Sequence, residues 1–174
     1  MTAQSRAIDR IVRICATAAP DDRSLRVAIL NEIRPVVAFD AFAWLLTDPE
    51  TEVGCSPLAD VPCLPELPQL IMLKYLTPIN RWTQMKGPVA RLYEGTGARL
   101  ECSLVWNSLL SRYGVTDVAS VVFRSRQGCW GFLDLWRINA PERFTESEAG
   151  FLTSIARPVT DALQRSQADT FKLT

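Results

Sequence analysis

The spacing of hydrophobic and polar positions changes several times along the chain. The segment whose secondary structure is easiest to predict lies in its second half. Two runs rich in β-branched and aromatic residues, Val115 to Phe123 and Cys129 to Trp136, flank a short polar connection. This composition is typical of a β-hairpin at the centre of a sheet. We expect a two-residue turn at positions 126–127, which places Ser125 opposite Gly128.

That register predicts the pairs Phe123 with Trp130, Val121 with Phe132, Ala119 with Asp134 and Asp117 with Trp136. One face of the hairpin would then be aromatic and acidic. The other face would be smaller and mostly aliphatic, with Val118, Ser120, Val122, Gly131, Leu133 and Leu135. A longer turn would shift the register by one residue and exchange the partners.

Helical spacing and capping signals predict the two ends of the chain. Apolar residues at i, i+3 and i+4 spacing indicate a helix from Ser5 to Ala18 that Pro20 ends, and Asp21 is a suitable cap for a second helix. Near the other end, Thr145 and Glu148 form a capping box, which predicts the start of a long helix that must tolerate Pro158. We expect the polar residues 164–174 to begin a linker.

The middle of the chain is predicted to alternate strands with a proline-rich crossover. Phe39 to Thr47 and Glu52 to Ser56 indicate a first hairpin. The prolines between 57 and 68 favour an extended segment, and Leu67 to Leu76 is predicted to be a short helix that acts as a lid. A further helix is expected from Leu100 to Tyr113, ended by Gly114 as its C-terminal cap.

Composition and charge narrow the function. A chain of 174 residues with 48% hydrophobic content suits one domain, with its core at about residues 24–163. Nineteen basic and nineteen acidic residues cancel without runs of like charge, so we expect no nucleic-acid binding by this chain. No apolar run approaches the roughly 20 residues that cross a bilayer, so a soluble, cytoplasmic protein without membrane contact is expected.

The sequence contains no histidine, which excludes Ser-His-Asp and Cys-His catalytic pairs, His-ligated haem and mixed Cys/His zinc sites. Its five cysteines, at positions 15, 55, 63, 102 and 129, include no Cys-x-x-Cys pair. We expect free, mostly buried thiols rather than disulfides or metal ligands. A redox pair of Cys55 with Cys63 is the minor alternative.

The order of predicted elements, with Gly131-Phe132-Leu133-Asp134-Leu135 ahead of the Phe144-Thr145-Glu146 helix start, resembles a GAF domain over about residues 24–163. Residues 73–78 and 128–137 also resemble the sensory region of bacterial LuxR-type helix-turn-helix regulators. In that family a DNA-binding part follows the last helix. The sequence ends before such a part, so the resemblance implies a truncated sensory portion or a stand-alone homologue.

The resemblance implies an α+β fold similar to GAF and PAS domains. Such a fold has a central antiparallel sheet of about six strands, with terminal helices on one face and a ligand cavity under the crossover helices on the other. Tetrapyrrole-binding and haem-binding GAF domains use a dedicated cysteine or histidines. This sequence departs from both patterns, so we expect no cofactor and no metal.

The aromatic face of the hairpin suggests a ligand site. The predicted ligand-binding residues are Trp44, Tyr75, Trp82, Phe123, Trp130, Phe132, Asp134 and Trp136. Each aromatic residue also fits an ordinary core. Asp134 stands in an apolar strand, so it needs either a structural partner, such as an arginine or a helix-start amide, or a ligand-facing cavity.

Three functional hypotheses follow. The first is a non-enzymatic sensory domain of a transcriptional regulator that binds a small organic ligand and signals through its terminal helices to a DNA-binding output. The second is a dimerisation module whose cavity is filled by side chains. The third is an enzyme similar to GAF-fold methionine sulfoxide reductases, for which Cys55 and Cys63 are the only candidate cysteines.

A homodimer is expected because the terminal helices present more apolar surface than one sheet face covers easily. The residues concerned are Ile8, Ile11, Val12, Phe151, Ile155, Val159 and Leu163.

Overall fold

Both predicted amino-terminal helices are present, and the second begins at its predicted cap, whereas the first begins at Ala3 rather than Ser5. The computed structural model describes residues 1–19 and 21–172, so Pro20, the expected end of the first helix, lies outside the described residues. Helix α1 spans Ala3–Ala16 and helix α2 spans Asp22–Ile33. The Asp21 carboxylate accepts a hydrogen bond from the Ser24 N–H at 2.6 Å, which satisfies one free amide at the start of α2. The predicted cap is confirmed.

Five antiparallel strands form one sheet in the order β2-β1-β5-β4-β3. The strands are β1 (Ala41–Thr47), β2 (Gly54–Asp60), β3 (Val89–Arg91), β4 (Val115–Ser125) and β5 (Gly128–Ile138). The sheet has one strand fewer than the GAF and PAS resemblance implies, because the crossover adds only the three residues of β3. Strand β2 runs further than predicted and includes Pro57, which an edge strand tolerates because proline lacks an N–H group.

Short helices make up most of the crossover. Helix α3 spans Leu67–Leu76, as predicted, and is followed by α4 (Leu92–Gly95) and α5 (Leu104–Ser108). Single 3₁₀ turns lie at Leu64–Glu66, Trp82–Gln84, Leu100–Cys102 and Leu110–Tyr113.

The continuous helix predicted from Leu100 to Tyr113 is broken into three pieces. The Ser103 hydroxyl caps α5 by accepting from the Trp106 N–H, and Leu109 leaves helical geometry with φ −141° and ψ −59°. Gly114 ends the segment in the left-handed conformation at φ +69°, as expected of a C-terminal cap. A Cβ atom there would lie 2.2 Å from Oδ1 of Asn139, so any other residue would require the Asn139 side chain to move.

The register of the central hairpin differs from the prediction by one residue. The turn at 126–127 and the Ser125–Gly128 pair are confirmed. Beyond them Arg124 pairs with Cys129 but Phe123 pairs with Gly131, so the intervening Trp130 forms a β-bulge. The four predicted pairs are therefore wrong. The observed pairs include Val121 with Leu133, Ala119 with Leu135, Ser120 with Asp134, Val118 with Trp136 and Asp117 with Arg137.

The shifted register decides which side chains lie on which face of the sheet. Terminal helices α1, α2 and α6 (Glu146–Lys172) cover the face that carries Trp44, Leu46, Ala119, Val121, Phe123, Leu133 and Leu135. The crossover covers the opposite face, which carries Ala41, Ala43, Leu45, Val118, Val122, Phe132 and Trp136. The predicted arrangement, with terminal helices on one face of the sheet and the crossover on the other, is confirmed, but the residues on each face differ from those expected.

Helix α6 begins at the capping box, which is confirmed. The Thr145 N–H donates to the Glu148 carboxylate at 2.8 Å, and the Glu148 N–H donates to the Thr145 hydroxyl at 3.1 Å. The helix continues through Pro158 to Lys172 and so includes most of the polar segment that is expected to begin a linker, which stays a prediction. Arg165 in this part donates to the Cys15 carbonyl at 2.7 Å, and residues 173–174 lie outside the described residues.

The apolar stripe of α6 is used within one copy of the chain. Phe151, Ile155, Val159 and Leu163 are each at most 2% exposed, and Ile11 of α1 is fully buried against them. Only Val12 of the residues expected to supply a dimer surface is substantially exposed, at 43%. The expectation of surplus apolar surface on α6 is therefore wrong, and the homodimer itself stays a prediction.

Candidate functional site

The structure divides the eight predicted site residues between the two faces of the sheet. Five of them, Tyr75, Trp82, Phe132, Asp134 and Trp136, lie on the crossover face. The other three, Trp44, Phe123 and Trp130, belong to the core under the terminal helices. The single aromatic pocket suggested by the sequence is therefore split by the sheet.

Trp44 and Phe123 stack on each other beneath the terminal helices. Their ring centroids are 5.3 Å apart with an interplanar angle of 21°, and both side chains are almost fully buried. The predicted register places Phe123 on the same face as Phe132 and Asp134, and the bulge puts them on opposite faces. Trp130, at the bulge, is half-buried, and its indole N–H donates to the Ser125 hydroxyl at 3.2 Å.

A buried ion pair lies at the centre of the crossover face. The Lys74 ammonium is 3.2 Å from Oδ2 of Asp134, and the two side chains are only 5% and 3% exposed. The Trp82 indole N–H donates to the other carboxylate oxygen at 2.9 Å. Lys74 also donates to the Ser120 hydroxyl at 3.1 Å and to the Asn80 carbonyl at 3.4 Å. The sequence predicted that Asp134 needs a partner, but that partner is a lysine and an indole rather than an arginine or a helix-start amide.

Lys74 is the functional candidate that sequence reasoning missed. It is the only charged residue of α3, whose remaining positions are Leu, Pro, Gln, Ile, Met and Tyr. Lysine is almost never fully buried unless it is paired. A single lysine in an otherwise apolar helix was therefore the available signal, and it matches the single carboxylate in the apolar strand β5.

Three aromatic rings form a wall beside the ion pair. Trp82 and Phe132 stack with centroids 4.8 Å apart and an interplanar angle of 11°. Tyr75 meets both edge-on, at 5.7 Å and 6.0 Å, and its hydroxyl donates to the Glu52 carbonyl at 2.7 Å. The Lys74 ammonium lies 5.1 Å from the Trp82 ring centre, within the range of a cation–π interaction. Burial raises the pKa of the Tyr75 phenol, so it stays a neutral donor.

A narrow gap remains between the ion pair and the crossover helices. Four polar residues, Lys74, Asn80, Ser120 and Asp134, line one part, and four aliphatic residues, Leu92, Val105, Leu110 and Val118, line the rest. The gap has no room for a water molecule. The Asn80 amide nitrogen is buried without a hydrogen-bond partner among the described residues. A buried donor without a partner is costly, which marks this point as one where another molecule's acceptor would be favourable.

Trp136 packs below the gap, in the core formed with α3, α5 and the turn at Leu110–Tyr113. Its side chain is fully buried, and its indole N–H has no hydrogen-bond partner within residues 1–19 and 21–172. It contributes to the crossover core but does not line the gap itself.

In the described residues, no helix combines the length and apolar character that spanning a membrane requires.

Comparisons of the chain with known proteins identify its fold. No family model and no curated protein sequence matches the chain. Among solved structures, the GAF domain of an Acinetobacter phosphoenolpyruvate-protein phosphotransferase is similar, with a TM-score of 0.63 and 13% identity over 97% of this chain and 96% of that one.

Two transcription-factor structures are also similar. The N-acylhomoserine lactone dependent LuxR family factor CepR2 of Burkholderia cenocepacia has a TM-score of 0.56 and 16% identity, covering 96% of this chain and 97% of that one. The ligand-binding domain of VqsR from Pseudomonas aeruginosa has a TM-score of 0.55 and 16% identity, covering 97% and 98%. The chain therefore has the α+β fold shared by GAF domains and LuxR-type ligand-binding domains, as the sequence resemblance implied.

Proposed function

We propose that this chain is the sensory domain of a transcriptional regulator and binds a small organic ligand on the crossover face. The observation that carries the proposal is the buried Lys74–Asp134 pair, set against an aromatic wall and beside an unpaired Asn80 donor. Ligand sites are mostly apolar with a few placed polar groups, and this site has that composition. The similarity to ligand-binding domains of LuxR-type proteins supports the same assignment.

The site's chemistry favours a ligand with a polar head and an apolar body. Its head would bond to Asp134, Lys74 and the Asn80 amide, and its body would contact the aliphatic lining. Because the gap is closed, the segment from Pro78 to Gly87 has to move to admit the ligand. A surface groove on the other side of Asn80, lined by Arg81, Gln84 and Met85 among others, provides a path.

Strand β5 provides a direct route from this site to the terminal helices. Asp134 lies on the crossover face, whereas its neighbours Leu133 and Leu135 pack in the core that contains α6. A ligand that shifts β5 therefore changes the packing of α6. We infer that α6 conveys occupancy to a DNA-binding output, for which a cytoplasmic homodimer is the expected form.

A ligand panel tests this proposal by thermal stability. The neighbour CepR2 is named as N-acylhomoserine lactone dependent, so the panel includes such lactones among other small organic compounds. A ligand at about one hundred times its Kd stabilises the folded state by about 2.7 kcal/mol. For a domain of this size we expect a rise in Tm of about 5–10 °C.

Matched variants locate the binding. Asp134→Asn should abolish the rise in Tm, whereas the same substitution at the exposed Asp60 on β2 should leave it unchanged. A rise that survives Asp134→Asn would contradict a site on the crossover face. No rise with any compound would favour the second candidate described next.

The second candidate is a module whose crossover face is permanently filled. The observation that favours it is the absence of space for even one water molecule in the gap enclosed by Lys74, Leu110 and Asp134. Such a domain would act only by pairing with another copy. The two candidates differ in one measurement, since only a sensory domain is stabilised by a small molecule.

We infer that the chain is not an enzyme of the methionine sulfoxide reductase kind. Cys63 is buried, and its burial raises the pKa of the thiol, whereas Cys55 is exposed on β2. A catalytic cysteine needs a lowered pKa to supply the thiolate. Turnover of methionine sulfoxide with a thiol reductant that is lost in Cys63→Ser would contradict this inference.

A further inference from the structure

An open groove of about 880 Å³ lies at the edge of the sheet, beside the end of β4. Its walls are the loop at 85–88, the tip of the central hairpin at 124–127 and one side of α6 from Thr153 to Gln164. The groove exists because β3 is short. The β3–β4 ladder ends at Val121, with one further hydrogen bond from the Val122 N–H to the Pro88 carbonyl. On that side, no strand among residues 1–19 and 21–172 pairs with the end of β4.

The walls of the groove are positively charged, although the whole chain has no net charge. Lys86, Arg124, Arg126 and Arg157 line it, against the single carboxylate of Asp161. Glu52 neutralises Arg124 through an ion pair at 2.9 Å. Within residues 1–19 and 21–172 the other three cations have no carboxylate within 4 Å, and all three are exposed. The three free cations and Asp161 leave a surplus of two positive charges.

The floor of the groove is apolar and its size suits a small molecule. Met85, Val122 and Ala156 contribute the floor. A volume of about 880 Å³ lies within the usual range of about 300–1,000 Å³ for ligand sites. An organic group can therefore rest on the floor while an attached anion meets the cations at the rim.

We propose that this groove binds a small organic phosphate. A phosphate monoester carries a charge of about −1.5 to −2 at pH 7, which balances the surplus of two positive charges. The planar guanidinium groups of Arg126 and Arg157 match phosphate oxygens in a bidentate manner. The bound molecule bridges the hairpin and α6, so it braces the helix that is proposed above to convey occupancy of the crossover site. This second site goes beyond the sensory function proposed above.

Titration of the whole 174-residue chain with phenyl phosphate tests the site. Binding is followed by calorimetry and by amide chemical shifts, with inorganic phosphate, benzoate and phenol as comparison probes. We expect phenyl phosphate to bind most tightly, inorganic phosphate to bind more weakly because it does not cover the floor, and phenol not to bind. The shifts should cluster at residues 85–88, 124–127 and 153–164.

Variants decide between a built site and general charge attraction. Lys86→Ala with Arg157→Ala should weaken phenyl phosphate binding by about tenfold or more, because it removes two of the three free cations that would meet the phosphate. The control is Arg23→Ala with Arg99→Ala, which removes two exposed cations elsewhere and should have no effect.

Three results would overturn the proposal. One is the absence of saturable phenyl phosphate binding at millimolar concentration by a chain that circular dichroism shows to be folded. Another is an equal loss of affinity in the control variant. The third is equally tight binding of benzoate or phenol, since the charge balance requires a dianion.

Discussion

A lysine in an apolar helix and an aspartate in an apolar strand stabilise each other's charge at the centre of the crossover face. Lys74 and Asp134 each keep a favourable environment only while the other is present. Removing a charged group from water is expensive, and a buried charge that loses its partner costs about 3–5 kcal/mol. The Trp82 indole and the Ser120 hydroxyl add hydrogen bonds but cannot replace the missing charge.

We predict that Lys74→Met and Asp134→Leu each lower the free energy of unfolding strongly, whereas the two substitutions together do not. Lys74→Met should cost about 3–5 kcal/mol because it leaves a buried carboxylate unpaired. Lys74→Met with Asp134→Leu should recover most of that loss, since a well-packed apolar pair can replace a buried ion pair. Urea unfolding of the four proteins gives the values. Additive losses in the double variant would show that the two charges do not depend on each other.

Of the two residues of this ion pair, only Asp134 could be recognised from the sequence. Asp134 could be predicted to need a partner because a carboxylate rarely sits in an apolar strand. Lys74 could not be paired with it from the sequence, because contact between residues sixty positions apart depends on how α3 lies across the sheet. Trp44 and Phe123 were misplaced for a similar reason, since face assignments depend on register.

Asp117 connects three elements of the structure through one buried carboxylate. It accepts hydrogen bonds from the Val118 N–H in β4, the Tyr93 N–H in α4 and the Phe144 N–H just ahead of α6, at 2.8–2.9 Å. Burial nevertheless raises the pKa of the Asp117 carboxyl, outweighing the amide donors and the charge of Arg143, which lower it. The position of α6 relative to the crossover therefore depends on a group that burial disfavours in its charged form.

The raised pKa predicts a pH dependence with a definite sign. The unfolded carboxyl ionises near its ordinary pKa of about 3.9, and the folded one ionises at higher pH. Folding therefore disfavours the charged form, so the stabilising contribution of Asp117 should decrease as pH rises from about 4 through the raised pKa, and then stay constant. The difference in unfolding free energy between the unmodified chain and Asp117→Asn, measured in urea across that range, should shrink. A difference in unfolding free energy that grows with pH would mean that the three amide donors lower the pKa of Asp117 more than burial raises it.

Predictability also varies among the elements. The caps at Asp21 and Gly114 and the capping box at Thr145 depend only on neighbouring residues, and all three could be predicted. The break in the segment from Leu100 to Tyr113 could not, because its apolar spacing fits a continuous helix while packing against α3 and β4 requires a turn at Leu109. The bulge at Trp130 could not be predicted either, because the two-residue turn is compatible both with a regular register and with a bulged one.

For the molecule as a whole, the burial of α6 changes what its substitution should do. Val159 is fully buried in the monomer, so Val159→Glu should unfold the chain rather than yield a folded monomer. Ser154→Glu, at an exposed position on the same helix, should leave folding intact. Circular dichroism with thermal melting measures both. A folded monomeric Val159→Glu from a dimeric parent would contradict the packing of α6 described here.

Strand β4 connects the crossover site, helix α6 and the proposed phosphate groove. It carries Ser120 towards the ion pair, Val121 towards α6 and Val122 to the floor of the groove. A shift of this strand by a fraction of an ångström therefore changes the packing at all three places. Ligands at the crossover site and in the groove should accordingly influence each other's affinity by equal factors.

The bulge also determines which changes in chain length the hairpin can survive. Cys129 lies on the crossover face, and both Trp130 and Gly131 are directed to the terminal helices. If Trp130 were lost, Cys129 and Gly131 would alternate as in a regular strand and every pair beyond them would keep its partner. Loss of any residue from 132 to 136 would instead exchange the two faces for the side chains between the deletion and the nearer end of the paired segment, which would misplace part of the strand's core side chains. Among related sequences, single-residue deletions in this strand should therefore occur at the bulge and nowhere else in it.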